Sequence, residues 1–272
     1  MGPFLSIDET SLSHGELYTV VTNKQAKGKA GTLVAIMEGT KSETIIPLLQ
    51  KLSPKQRNKV QEITLDLAGN MSLIAKKCFP NATRVIDRFH VQQLATEALQ
   101  EIRIKYRWQA IDAENQAIED AKTAQVTYCP PVLSNGETLK QLLARSRYLL
   151  YKKEDNWTVE QAQRADLLFE RYPDLRKAYE LTQKLSWIFS TTTDKLYAFV
   201  RLAKWNELVE QSGFKSFNTL SRTIINHHQH ILNYFGQQKY QCFGRIVQCQ
   251  DQSVQSSIQR GGKCEFFPFQ AG

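Results

Sequence analysis

An α/β fold, a mixed sheet followed by a long run of helices, is predicted by three features of this 272-residue sequence. Strand and helix signals alternate over the first 90 residues, and strand signals nearly vanish after Arg88. From there the apolar residues recur at helical spacing, punctuated by proline and glycine. With 42% hydrophobic residues, the chain can bury one large core or a core carrying a sizeable insertion.

The elements follow in order. Phe4-Leu5-Ser6-Ile7-Asp8-Glu9 is a short apolar run ending in acid, and Leu17–Thr22 is rich in β-branched and aromatic residues. A turn, Lys27-Gly28-Lys29-Ala30-Gly31, leads into Thr32–Met37, so three strands form an antiparallel meander. Ser42 caps a helix with Ile45, Ile46, Leu48, Leu49 and Leu52 on or near one face. Val60–Asp66 reads as a strand, Asn70–Cys78 as a short helix and Thr83–Asp87 as a further strand. The order β-β-β-α-β-α-β is that of a ribonuclease H-like mixed sheet, in which the first and fourth strands lie side by side. Helical periodicity then runs through 88–125, 137–152, 158–171, 173–189, 193–211 and 217–235, with no fixed-period repeat. The expected division is 1–91 as the α/β core, 92–216 as an all-helical insertion, 217–235 as a helix leading back to the core, and 236–272 as a tail.

Lys plus Arg outnumber Asp plus Glu by 35 to 27, a net charge of +8, which favours a polyanionic partner. Cysteines at 78, 129, 242, 249 and 264 form no C-x-x-C pair, which counts against a zinc ribbon and a thioredoxin-like motif. Their odd number and irregular spacing argue against a secreted disulfide scaffold. Met1-Gly2-Pro3-Phe4 does not open a signal peptide, Gly2 has only Ser6 to support a myristoylation motif, and no apolar run spans a bilayer. The expected location is the cytoplasm, with no membrane partner.

Asp8 ends the first strand and Asp66 the fourth. If those strands are neighbours, the carboxylates converge at one sheet edge, where they repel one another and favour a divalent cation between them. A single strand-end aspartate is more often a turn cap. The paired placement on the two strands that meet in this fold points instead to a site. Asp87-Arg88-Phe89-His90 follows the fifth strand, with Asp87 and His90 three apart on one face of a helix start. His227-His228-Gln229-His230 lacks Cys or Glu at ligand spacing and reads as a solvated helix face. Arg103, Lys105 and Arg107 interleave with Tyr106 and Trp108. That stripe suits either a grip on a DNA backbone or an amphipathic helix packing its aromatics inward.

These residues resemble a known family. "FLSIDETSLSHGELYTVVTNK", "EITLDLAGNM", "KKCFPNATRVIDRFHVQ", "EIRIKYRWQAID", "LLARSRYLL" and "SGFKSFNTLSRTI" are similar to the DDE transposases of the ISL-three branch of bacterial insertion sequences, from about residue 4 to 235. The resemblance implies metal-dependent DNA cleavage and strand transfer with Mg²⁺ or Mn²⁺. It places the first two catalytic acids and metal ligands at Asp8 and Asp66, with Asp87 and His90 as a supporting D-x-x-H motif. It implies transposon ends and target DNA as partners, a homo-oligomer when active, and a catalytic Glu on a last helix after the insertion. Family members usually carry an N-terminal DNA-binding region, in some relatives from a separate reading frame, whereas this sequence starts almost on the first catalytic strand. Another ribonuclease H-like nuclease, such as a junction resolvase, needs no such insertion.

The sequence departs from the family after Phe235. Members continue with a stretch like Ala-Glu-Ser-Phe-Asn-Ala-Lys-Ile-Lys-Ala-Phe-Arg, whereas this chain reads "GQQKYQCFGRIVQCQDQSVQSSIQRGGKCEFFPFQAG". With suitable choices among the synonymous codons, reading bases two and three of each codon with base one of the next recovers the family pattern. Gln248 with Cys249 gives Asn, Cys249 with Gln250 gives Ala, Gln250 with Asp251 gives Lys, Asp251 with Gln252 gives Ile, and Gln252 with Ser253 gives Lys. Arg245 with Ile246 gives the Glu codon. The expectation is one inserted base near the codon for Gly236, a catalytic Glu left out of frame, and either an inactive enzyme or a DNA-associating fragment.

Overall fold

The computed structural model describes residues 1–11 and 15–236, together with the backbone of the strand at 264–266. The chain divides into two compact units. Met1–Val91, Thr192–Phe199 and the described residues from Asn226 onward form the first, and Gln92–Thr191 with Val200–Ile225 form the second.

The first unit is built on a mixed sheet. Strands β1 (Phe4–Ser11), β2 (Leu17–Asn23) and β3 (Leu33–Glu38) form the antiparallel meander. The turn between β2 and β3 places Gly28 and Gly31 at φ near +80°, a conformation that costs glycine nothing. Helices α1 (Ser42–Leu49) and α2 (Pro54–Arg57) precede β4 (Glu62–Leu65), and α3 (Gly69–Cys78) precedes β5 (Thr83–Ile86). With β6 (Cys264–Phe266), the sheet order is β5-β4-β1-β2-β3-β6. β1, β4 and β5 are parallel neighbours, as short α-helical crossovers require. Leu5, Ile7, Val21, Ile63, Leu65 and Ile86 fill the core, almost wholly excluded from solvent.

Two local details differ from the sequence expectation. Lys41, not Ser42, occupies the cap position of α1, and the Ser42 hydroxyl instead donates to Glu43. α2 was not anticipated, although Ser53 and Gln56 form a reciprocal capping box around Pro54. The expectation for 236–272 concerns residues outside those described, apart from Gly236 and the strand β6, which pairs antiparallel with β3.

The second unit contains no strand among the described residues. It holds the greater part of α4 (Arg88–Thr123), then α5 (Leu139–Arg145), α6 (Val159–Arg171) and α7 (Pro173–Thr191). It also holds most of α8 (Lys195–Ser212) and of α9 (Lys215–Asn226). Thr138 and Thr158 open α5 and α6 with capping boxes to Gln141 and Gln161, and Pro173 takes the first position of α7. Trp205, Tyr179, Phe217, Leu185 and Leu142 form the core, and the buried Trp205 indole donates to Leu181 O at 2.9 Å.

One buried charge cluster ties this unit together. Glu137 is only 4% exposed and accepts from Arg145 at 2.9 Å, from Arg164 at 2.8 Å and, with its Oε2, from Asn135 at 3.1 Å. The Arg164 hydrogen bond above all holds the Glu137 carboxyl down to about 2, against an ordinary 4.5. A depressed folded-state value adds stability above the unfolded value, and that stability is lost as pH falls from about 4.5 toward 2. Glu137→Gln is therefore expected to cost about 2 kcal/mol at pH 7, a fall of roughly 4–8 °C in Tm. It should also flatten the acid limb of a calorimetric pH series. An unchanged Tm and acid limb would contradict this role for the cluster.

Candidate active site

Three aspartates stand at one level on three neighbouring parallel strands. The β1–β4 ladder pairs Ser6 with Thr64, so two residues further on Asp8 falls opposite Asp66. The β4–β5 ladder pairs Leu65 with Ile86, so the next position sets Asp66 beside Asp87, and Asp87 N donates to Leu65 O at 2.9 Å. Contrary to the sequence expectation, Asp8 does not end β1, which runs on to Ser11, whereas Asp66 and Asp87 directly follow β4 and β5, and both lie near enough to act on the Asp8 carboxyl.

Each carboxylate is partly engaged. Asp8 Oδ1 accepts from Glu9 N at 2.9 Å and lies 3.9 Å from His90 Nε2. Asp66 Oδ1 accepts from Ala68 N at 2.8 Å. The second oxygens of Asp8 and Asp66 take no hydrogen bond from the described residues. Asp87 Oδ1 accepts from Phe89 N at 2.9 Å and so caps the start of α4. His90 follows in the first turn of that helix. The cap thus fixes the turn that carries His90 to Asp8, which gives the D-x-x-H spacing a local mechanical cause. Burial raises the Asp8 pKa; His90 and the Glu9 N–H oppose this, while Asp66 and Asp87 push it further up. The Asp8 anion is thus held at a cost, among like charges.

Two carboxylates on one level with free oxygens suit a hard divalent cation that completes its shell with water and phosphate oxygens. Among the described residues no group of three or more His, Cys, Asp or Glu side chains is gathered to hold an ion. The donors present account for part of a coordination shell. A neighbour the sequence did not single out is Asn70, whose Nδ2 donates to Glu9 Oε1 at 3.2 Å and to Thr40 O at 2.9 Å. It ties the end of β1 to the loop after β3, and its only sequence signal is its place at the start of a helix just after Asp66.

The basic stripe of α4 divides. Arg103 is 5% exposed, with Nε donating to Gln100 Oε1 and Nη1 to Leu143 O, each at 2.6 Å. This corrects the expectation that Arg103 faces DNA, because its guanidinium supplies the buried link from α4 to α5. Tyr106 also turns to a partner, donating to Asp174 Oδ2 at 2.8 Å. Lys105, Arg107 and Trp108 are exposed. The histidine run is likewise not a continuous solvated face. The helix breaks at His227, α10 (His228–Leu232) starts afresh, and His230 is half-buried.

The described residues form a mixed sheet and many helices, and none of those helices is long and apolar enough to cross a membrane. Residues 5–241 match the ISL-three family of DDE proteins, described as "Transposase". The chain belongs to this family of insertion-sequence transposases. It is 25% identical over 227 residues to the transposase for insertion sequence element IS1001 of Bordetella parapertussis, covering 81% of this chain and 48% of that protein. It is 24% identical over 225 residues to the transposase for insertion sequence element IS1557 of Mycobacterium tuberculosis, covering 82% and 49%. The chain spans about half the length of these relatives.

Proposed function

We propose that this chain is the ribonuclease H-like catalytic portion of an insertion-sequence transposase, acting on DNA in the cytoplasm, with its second unit as the helical insertion. The observation that carries this reading is the placement of Asp8 and Asp66 at one level on adjacent parallel strands. Asp8 and Asp66 would hold the cation, Mg²⁺ or Mn²⁺. When bound, it would activate the attacking oxygen and stabilise the leaving oxygen of an in-line phosphoryl displacement.

The protein's own residues prepare this site. Burial and like charge keep Asp8 in need of a counter-ion, Asp87 orients the first turn of α4, and His90 stands beside Asp8. Lys105, Arg107 and Trp108, each exposed on α4, offer two cations and a stacking surface to DNA. The third acidic ligand would be the Glu read out of frame near Arg245, so the chain as written lacks it. A second reading, a DNA-associating fragment without catalysis, follows from the same lesion and differs only in activity.

The test is thermal. Burial and the neighbouring Asp66 and Asp87 charges disfavour the Asp8 anion, so Asp8→Asn is expected to raise the Tm of the cation-free protein. Mg²⁺ should then raise the Tm of the parent chain and leave Asp8→Asn and Asp66→Asn unmoved. Equal Mg²⁺ shifts in all three would defeat the assignment.

A further inference from the structure

A second concentration of charge lies at the other end of β5. There an open hollow of about 490 Å³ is lined by Thr83, Arg84, Lys195, Gln229, His230 and Asn233, and among the described residues no acid lines it. Arg84 Nη1 donates to Ser72 Oγ at 3.0 Å and Lys195 Nζ to Asn233 Oδ1 at 2.9 Å, both neutral partners. Among the described residues neither cation is paired with a carboxylate. The nearby Asp194 spends its Oδ1 on the N–H groups of Leu196 and Tyr197 at the start of α8. Asn233 Nδ2 donates to Arg84 O at 3.0 Å, which knits α10 and its flank to the edge strand and fixes the wall of the hollow.

The charge here is crowded and not compensated. Burial first, and then Arg84, His227 and His228, hold the His230 pKa below its ordinary value. A guanidinium, an ammonium, two amide side chains, an imidazole and a hydroxyl around one open hollow make a donor set for the oxygens of a phosphate. We propose that this hollow binds a backbone phosphate of duplex DNA, as a contact separate from the aspartate site. The inference rests on the reading of the chain as a DNA-acting protein. Thr83 and Asp87 are four residues apart on an extended strand, roughly 13 Å. That is about four base-pair rises, so one duplex is long enough to meet both ends of β5.

The test uses the full chain and a labelled random-sequence duplex of roughly 30 base pairs, followed by fluorescence anisotropy across a salt series. Each phosphate contact contributes roughly 0.9 to the slope of log affinity against log salt. Arg84→Gln/Lys195→Gln is expected to lower that slope by roughly 1 and to weaken low-salt binding several-fold. Lys195→Arg should keep the parent slope. If the double variant fails to fold by circular dichroism, Lys195→Gln alone, which gives up one exposed bond, carries the comparison. A parent slope retained in the glutamine variants overturns the site and leaves the DNA reading standing. Absence of any salt-dependent DNA binding by the parent chain overturns both. Inorganic phosphate that shifts the His230 ring signals in NMR spectra, where the duplex does not, would assign the hollow to a free anion and overturn the proposal.

Discussion

Deleting one base near the codon for Gly236 is expected to raise strand transfer from undetectable to readily measured, a gain on the order of 10³-fold or more. The assay needs a full-length context, because the chain spans about half the length of its relatives. The tail as written holds two carboxylate side chains, Asp251 and Glu265. Glu265 lies in β6, in register with Ile36 of β3. Ile36 pairs with Val20, and Val20 pairs with Asp8. The Glu265 backbone is therefore three strand spacings from that of Asp8, roughly 14 Å. Restoring the frame would supply Glu on a basic amphipathic helix in its place. Robust Mg²⁺-dependent transfer by the unrepaired chain would show that the missing Glu is not needed or has been replaced.

In the frame-repaired protein, Asp66→Asn is expected to abolish the recovered activity, again on the order of 10³-fold. Asp66 uses one oxygen to accept from Ala68 N, and Asn can keep that bond through its own carbonyl oxygen. The turn after β4 should survive, so the loss would report the missing anionic ligand and not a collapsed loop. Asp87→Asn should cost far less, about tenfold. Its task is to cap α4 and aim His90, and Asn is an equally good cap. A single-turnover cleavage assay on end-bearing DNA separates the two. Equal losses would make Asp87 a ligand and reassign the site.

The sheet was legible because its strands carry strong local signals. Phe4–Glu9, Leu17–Thr22 and Val60–Asp66 are dense in β-branched and apolar residues bounded by turn chemistry, and each forms a strand within a few residues of the expected limits. The positions of Asp8 and Asp66 could be read from the same runs. Other features depend on what the chain folds against. Arg103 sits at the spacing of Ala95 and Leu99 on the buried side of α4, so a helical projection would have turned it inward. The alternation of basic and aromatic residues specifies their types but not that phase. The break at His227 escaped because the buried stripe of Phe217, Leu220, Ile224 and Ile231 keeps a helical repeat across it. Periodicity records which face is buried, and it cannot register a lost backbone bond that leaves the face unchanged. Asn70 was invisible for another reason: its two partners, Glu9 and Thr40, are 61 and 30 residues away in sequence.

Mn²⁺ binding followed by electron paramagnetic resonance tests whether Asp8 and Asp66 together hold one divalent cation. The frame-repaired protein is expected to take up Mn²⁺ at this site, and the parent chain to bind it more weakly through its two remaining carboxylates. Asp8→Asn and Asp66→Asn should each remove that bound-ion signal, and Glu137→Gln, in the other unit, should leave it intact. Binding that survives both aspartate substitutions, or that is lost equally with Glu137→Gln, would contradict the account.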